Sequence, residues 1–447
     1  MKRNAVILVD HRTRDLMVAV LLARQLEERG VQCHLEPLES YHGCLAAYAP
    51  DLILFNHINS GHLVRYSHRL AKLGVLTAVL PNEGILYDEE VLRYNSGKYH
   101  QGAHIDYFFC WNALHRDALL AAGLAGQPTR VEVCGVPRFD FYFEPWARVF
   151  NLPPQPAGRR PRLLCCTNFG FAFYADKAPA VAERLFAPWK ERVSLMRDPA
   201  AIIELQARER VRALDHLRQL AECGEFDLTL RPHPREDSAF YAQFLASLTP
   251  AAQTRVRLDA TSNITELILA CDLEISCETC TTALESWIAD KPTVELTFER
   301  HPLFFHAETA QHNVLCDKPA DLVGLVCQQL QPGAQAALAA GRRQHLAKWC
   351  ASPAGDAAGR VAAVLAEAVH ARPAPARQFT LGERRKGAKL KLLRRANLPY
   401  HFDPLLALKR RLLPRRYTAK SFTLDKAIRP SDVAAARRQL TAALAAP

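Results

Sequence analysis

Short, nearly uninterrupted apolar runs alternate with stretches of helical period through most of the chain. The runs AVILVD (5–10), VQCHLEPL (31–38), DLILFNH (51–57), VLTAVLP (75–81), IDYFFCW (105–111) and RVEVCGV (130–136) read as strands covered on both faces. Between them, residues near 15–29, 61–73 and 114–123 repeat apolar positions at helical spacing. This alternation predicts a Rossmann-like α/β domain over residues 1–150. The segment NLPPQPAGRRPR (151–162) has no period and reads as a linker. A second unit opens with LLCCTN (163–168), and residues 176–222 read as largely helical. Strand patterns DLTLR (227–231), LEIS (273–276) and TVEL (293–296) follow, with helices at 239–248, 264–272 and 283–290. The second Rossmann-like domain is therefore expected over 161–371, leaving 372–447 as a tail. Two such domains in tandem describe the GT-B architecture, with the ligand expected in the cleft that the domains face.

Length supports two domains, since 447 residues exceed what one core usually sustains. The fractions of hydrophobic residues (49%) and charged residues (23%) are those of an ordinary globular protein. The apolar run before Asp10 is five residues, too short for a signal-peptide core, and no stretch approaches membrane-spanning length. The expectation is a cytoplasmic protein whose 13 cysteines are thiols. Cys277 and Cys280 form a CxxC between a strand and a helix, where a redox pair would lie, but no second pair or histidine set accompanies them for zinc. There is no GxGxxG after the first strand and no GxxxxGK[ST], which argues against an ordinary dinucleotide fingerprint and a P-loop.

Candidate chemistry concentrates in the second half. In LTLRPHPRED (228–237), Pro232 and Pro234 bias Arg231 and His233 to extended backbone, so the imidazole stands at a strand end. Arg231 and Arg235 beside it suit an anion such as a phosphate. The alternative is a solvated turn, with Glu236, Asp237 and Ser238 serving the start of the next helix. Thr281 and Thr282 open a helix whose N-terminus favours an anion, or they simply cap it. Arg12, Arg14 and Asp15 follow the first strand. The arginines could line a cleft, while capping suits Asp15.

RPHP followed some fifty residues later by CTTALESWIADKPTVEL resembles the HP and Ser-Ser/Thr motifs of bacterial capsule and surface-polysaccharide transferases. That group includes polysialyltransferases, Kdo transferases and glycerophosphotransferases, which are GT-B enzymes with cytidine-nucleotide donors. HRTRDL (11–16), LPNEGI (80–85), IDYFFCWN (105–112) and VCGVPRFD (133–140) are similar to segments of surface carbohydrate biosynthesis proteins, so the resemblance spans roughly residues 5–300. It implies that His233 contacts the donor phosphate and assists leaving-group departure. It further implies that Thr281 and Thr282 hold the same phosphate, and that Arg231, Pro234, Arg235 and Glu285 belong to the donor site. On the acceptor side it implies Arg12, Arg14, Asn82 and Gly84, with Glu83 as the base that activates the acceptor hydroxyl. Asn82 stands where the family carries an acid. Glu83 could otherwise be an ordinary turn glutamate. No Asp-x-Asp stands out, so the transferase is expected to need no metal or other cofactor.

The positive charge is local. From Arg372 to Arg416 there are 14 lysines and arginines against two acids, an excess of 12 that accounts for the net charge of +11 of the whole chain and leaves the remainder close to neutral. RRKGAKLKLLRRANLPYHFDPLLALKRRLLPRRY (384–417) mixes leucines with these cations as a membrane-surface helix does. An enzyme extending lipid-linked glycans would use it to sit peripherally on the inner membrane. A basic hairpin packed on the body, or a disordered segment, is the alternative. Nucleic acid is not the expected partner, because no aromatic platform or helix-turn-helix accompanies the charges. The sequence thus reads as a GT-B glycosyltransferase of surface polysaccharide (capsule or lipopolysaccharide) assembly, moving a Kdo-like or sialic-acid-like sugar from a CMP- or CDP-linked donor to a glycan acceptor. A CDP-glycerol phosphotransferase, a nucleotide-sugar epimerase and a polyanion binder are the rivals.

Overall fold

The computed structural model describes residues 3–98, 102–124, 128–154, 156, 158–399, 411–412 and 426–445. The chain divides into two compact units. Unit 1 comprises Met1–Gly84, Ser96–Val149 and Pro353–Pro447, and unit 2 comprises Ile85–Asn95 and Phe150–Ser352.

The first part of the chain runs β1 (Arg3–Val9), α1 (Arg12–Glu27), β2 (Val31–Pro37), α2 (Tyr41–Tyr48), β3 (Leu52–Phe55), α3 (Gly61–Leu73), β4 (Leu76–Val79), α4 (Glu89–Gly97), β5 (Tyr107–Cys110), α5 (Ala113–Ala121) and β6 (Arg130–Val133). The six strands form one parallel sheet in the order β2-β1-β3-β4-β5-β6. β3, β4 and β5 are buried throughout, which explains their uninterrupted apolar sequence.

Next come β7 (Arg162–Cys166), α6 (Pro179–Lys190), α7 (Pro199–Glu222), β8 (Asp227–Arg231), α8 (Ser238–Ala246), α9 (Pro250–Gln253), β9 (Val256–Leu258), α10 (Ile264–Ala270), β10 (Leu273–Cys277), α11 (Thr281–Ile288), β11 (Thr293–Leu296), α12 (Ala307–Ala310), β12 (Val314–Cys316), α13 (Pro319–Gln329) and α14 (Ala339–Cys350). Their sheet is also parallel, in the order β12-β11-β10-β7-β8-β9. The alternating units expected from the apolar runs are therefore present.

Each sheet reverses its strand order at one place, between β1 and β3 in unit 1 and between β7 and β10 in unit 2. Open parallel sheets bind ligands beyond the carboxyl ends of the strands at such points, because the connections there leave in opposite directions and open a crevice.

The division differs from the expected 161–371 domain and 372–447 tail. The chain rejoins unit 1 at Pro353, and α15 (Ala357–Ala371), α16 (Leu381–Arg395) and α17 (Pro430–Ala445) cover that unit. Asp140 accepts hydrogen bonds from the Ala357 and Ala358 amides at the start of α15, at 3.1 and 2.8 Å. Arg437 of α17 pairs with Glu27 of α1 at 2.7 Å. The leucines of α16 serve packing: Gly387, Leu390 and Leu393 are buried, with α16 packed on α2. The Gly387 crossing is so close that an added Cβ would lie 2.9 Å from the Ala47 nitrogen. Of the proposed membrane-surface stretch 384–417, residues 400–410 and 413–417 lie outside the described residues.

Candidate functional site

In unit 2 the expected donor residues stand at the carboxyl edge of the sheet. His233 follows β8, while Thr281 and Thr282 open α11 after β10. β7 lies between those two strands, so the two positions are about two strand spacings apart, on the order of 10 Å. The loop after β7 fills the gap, with Gly170 lying against the His233 ring.

The histidine is held from below by Glu236, which is buried. One carboxylate oxygen of Glu236 accepts from the backbone N–H of His233 (3.1 Å), the N–H of Phe169 (3.1 Å) and the hydroxyl of Thr167 (2.7 Å). The other accepts from the hydroxyl of Tyr241, a residue with no exposed surface. One carboxylate thus fastens the β8 loop to the β7 loop. Asp237 alone caps α8, accepting from the Ala239 amide at 2.9 Å. This corrects the reading of Glu236 as part of the helix start. Nδ1 of His233 accepts the Arg235 N–H at 3.2 Å, which places the ring proton on Nε2. Pro234 and the Arg235 side chain are exposed, and Arg231 donates to the Asp259 carbonyl at 3.0 Å.

At α11 the picture is more constrained than the sequence suggested. The Thr282 hydroxyl donates to Glu274 of β10 at 2.7 Å, so its proton is already committed inside the fold. Burial pushes the Glu274 carboxyl up to about 8, against the lowering effect of that bond. Thr281 is half-buried at the helix start, and Glu285, one turn along, is 2% exposed. In this conformation Glu285 does not present its carboxylate to solvent. Cys277 and Cys280 are free and buried, and burial lifts Cys280 to about 11. Reactive pairs hold a lowered thiol, so this environment opposes the redox reading.

In unit 1, Arg14 and Asn82, two of the residues expected on the acceptor side, stand at the reversal point. A pocket at the carboxyl edge is lined by Arg14, Asp15, Asn56, Asn82, Trp111 and Arg138, among others. Asp15 accepts from the His11 amide at the start of α1 (3.0 Å), the capping role expected of it, and also from Asn82 (3.0 Å). Asn82 in turn accepts from Asn56 at 2.8 Å, and Arg14 grips Asp15 at 2.7 and 3.2 Å. The side chain of Glu83 is 73% exposed, with its carboxylate 3.7 Å from Arg14. Gly84 is required here: a Cβ would fall 2.6 Å from the Trp111 ring. Its carbonyl accepts from Asn112 at 3.1 Å, which fixes the turn that carries Glu83. Arg12 stands apart at the first turn of α1, 4.0 Å from Asp432.

Sequence reasoning missed Asn56, Trp111 and Arg138, which enter the pocket from other strand ends, and it missed Lys426. Lys426 binds Asp10 at 2.8 Å and approaches Glu39 at 3.6 Å. Burial pushes Asp10 up, yet Lys426 together with His11 and His57 holds the carboxyl below its ordinary value. No group of three or more metal-ligating side chains occurs among the described residues.

No protein-family model and no curated protein matches the sequence. Among solved structures, the chain is similar to a Listeria monocytogenes protein held to be a UDP-N-acetylglucosamine 2-epimerase, at 13% identity and a TM-score of 0.51, covering 85% of this chain and all of that one. The wall teichoic acid polymerase TagF, in a structure soaked with CDPG, aligns at 10% identity and a TM-score of 0.48, over 83% of this chain and 89% of that one. A glycosyltransferase, VinC, in complex with dTDP aligns at 11% identity and 0.39, over 82% of this chain and all of that one. The first likeness shows the fold: two Rossmann-like units in tandem, the GT-B architecture expected from the alternating pattern.

Proposed function

We propose that the chain is a glycosyltransferase that moves a sugar from a nucleotide-activated donor, a CMP-linked acidic sugar in the first instance, to a glycan hydroxyl. The observation that carries this reading is the placement of His233 and the α11 start on either side of the β7 loop at the reversal point of unit 2, with Arg235 alongside. Cations, an imidazole N–H and a helix N-terminus are groups that receive phosphate charge. In the proposed step Glu83 takes the proton of the acceptor hydroxyl, and the freed oxygen bonds to the anomeric carbon. The bond from that carbon to the donor phosphate breaks, and the nucleotide leaves with its negative charge held by His233, Arg235 and the α11 amides. The residues assigned to these steps need no metal, so turnover is expected to survive chelation by EDTA.

Titration calorimetry with CMP, CDP, UDP and GDP tests the donor class, and a cytidine preference is expected. His233→Ala is expected to abolish transfer and weaken that binding, and wild-type turnover in this variant would reduce the RPHP stretch to a turn. Glu83→Gln is expected to lower the catalytic rate by about 10²–10⁴-fold while sparing nucleotide binding, because a general base acts on the acceptor alone. The likeness to the epimerase supports one second reading, interconversion of a UDP-sugar at the same edge. Epimer formation from UDP-N-acetylglucosamine without any acceptor would favour that reading.

A further inference from the structure

The helix α16 has two faces. Gly387, Leu390 and Leu393 are spent against α2, and Glu383 is turned to Arg69 at 2.9 Å while capping its own helix through Thr380. Arg394 is likewise tied to Glu36 at 3.1 Å. The opposite face follows a second helical stripe, Leu381, Arg385, Ala388, Leu392 and Arg395, and all five side chains are exposed. Arg384 and Lys391 flank it and are also exposed. Leu392 and Leu381 are 68% and 65% exposed, and Leu412, beside the exposed Arg411, is 67% exposed. These three leucines are the most exposed large apolar side chains among the described residues, and all lie in the basic segment.

We propose that this outer face of α16 docks the protein flat on an anionic lipid surface. The proposal goes beyond glycosyl transfer and does not depend on it. Cations clustered on a rigid helix about 22 Å long supply attraction to lipid phosphates. Leucines held out between arginines supply what a phosphate backbone does not use, apolar side chains able to enter the boundary between headgroups and acyl chains. The clamps to α2, Arg69 and Glu36 hold the helix before it binds, so docking carries little ordering cost. No described helix is long and apolar enough to cross a membrane, and the contact is therefore interfacial.

The test is flotation of the full chain with vesicles of phosphatidylcholine alone and of phosphatidylcholine mixed with phosphatidylglycerol, with a short DNA duplex as a third arm. Binding to the mixed vesicles only, weakened by salt, is expected. Arg385→Gln, Lys391→Gln and Arg395→Gln together should lower that binding by at least about tenfold, since each cation near an anionic surface contributes severalfold. Leu381→Ser with Leu392→Ser should weaken vesicle binding and leave any DNA binding unchanged. All five positions are exposed, and unchanged circular dichroism and thermal midpoints confirm the fold of each variant. Equal binding to neutral vesicles, indifference to the triple substitution, or DNA binding stronger than vesicle binding and untouched by the leucine pair would each overturn the proposal.

Discussion

In unit 1 the buried Asp51 meets Arg3 at 2.8 Å, and Glu36, 1% exposed, meets Arg394 at 3.1 Å. Asp15 and Asp10 are gripped by Arg14 and Lys426. In unit 2 the equally buried Glu236, Glu274 and Glu295 are met by hydroxyls, amides and an asparagine. Glu278 and Glu209 are buried side by side, and burial raises both carboxyls, with Glu209 adding repulsion at Glu278 and Glu299 adding it at Glu209. Asp51 and Glu36 are thus met by cations in unit 1, and Glu236, Glu274 and Glu295 by neutral donors in unit 2. Pairing a buried carboxylate with an arginine locks elements together, as Arg394 locks α16 onto β2. Burial raises carboxyls in both units, Glu36 and Asp140 in unit 1 and Glu274, Glu278 and Glu295 at the strand ends and β10–β11 core of unit 2, and such groups mark sites where protonation matters.

The largest effect is expected from Arg394→Met. It leaves Glu36 buried with only the Tyr48 hydroxyl for company, and stranding a buried charge costs about 3 kcal/mol. Burial already raises the Glu36 carboxyl despite Arg394, so the loss should shrink as pH falls and the acid takes up a proton. Urea unfolding of the variant at neutral and mildly acid pH reads both effects. A loss that does not depend on pH would mean that Arg394 matters for packing and not for charge.

A smaller effect is expected in unit 2 from Glu236→Gln. The amide keeps the shape but offers one carbonyl where a carboxylate served four donors, and its own N–H₂ takes the place of one acceptor oxygen, facing the Tyr241 hydroxyl when the carbonyl stays with Thr167, Phe169 and His233. Leaving one or two buried donors unpaired costs about 2 kcal/mol. The specific readout is the cytidine-nucleotide Kd, which should rise because the His233 backbone is no longer fixed. Lost stability with an unchanged Kd would make Glu236 a core residue only.

These two residues also show how far the sequence was readable. The parallel strands were legible because a doubly covered strand has no polar side to interrupt it. β9 and β12 were not, since three residues at a sheet edge carry no pattern. Glu236 looked like a capping residue because Glu-Asp-Ser before a helix has two uses. Only the partner Thr167, 69 positions away, decides between them. The return of the chain at Pro353 was hidden for a similar reason. The apolar stripes of α15 and α16 say that these helices are covered, and nothing local says which sheet lies beneath. His233 and Thr281 were legible because prolines and a strand-to-helix turn fix them locally. Arg138 and Lys426 reach their places through long-range packing.

The smallest predicted effect concerns Glu278, 2% exposed and without a unit 1 style cation. Its carboxyl is raised by burial first and by Glu209 second, so the folded protein holds a proton that the unfolded chain gives up near the ordinary carboxyl value. Stability from this group is full below that value and drains away as pH rises through the folded one. Glu278→Gln keeps the neutral form at every pH. The variant should match the wild type in acid and be the more stable by about 1 kcal/mol at alkaline pH, because replacing a buried charge by a neutral isostere removes its desolvation cost. Thermal midpoints measured across the range decide the matter. If the two curves run parallel, Glu278 is compensated in the fold after all, and the contrast would then rest on Glu236, Glu274 and Glu295, which neutral donors meet.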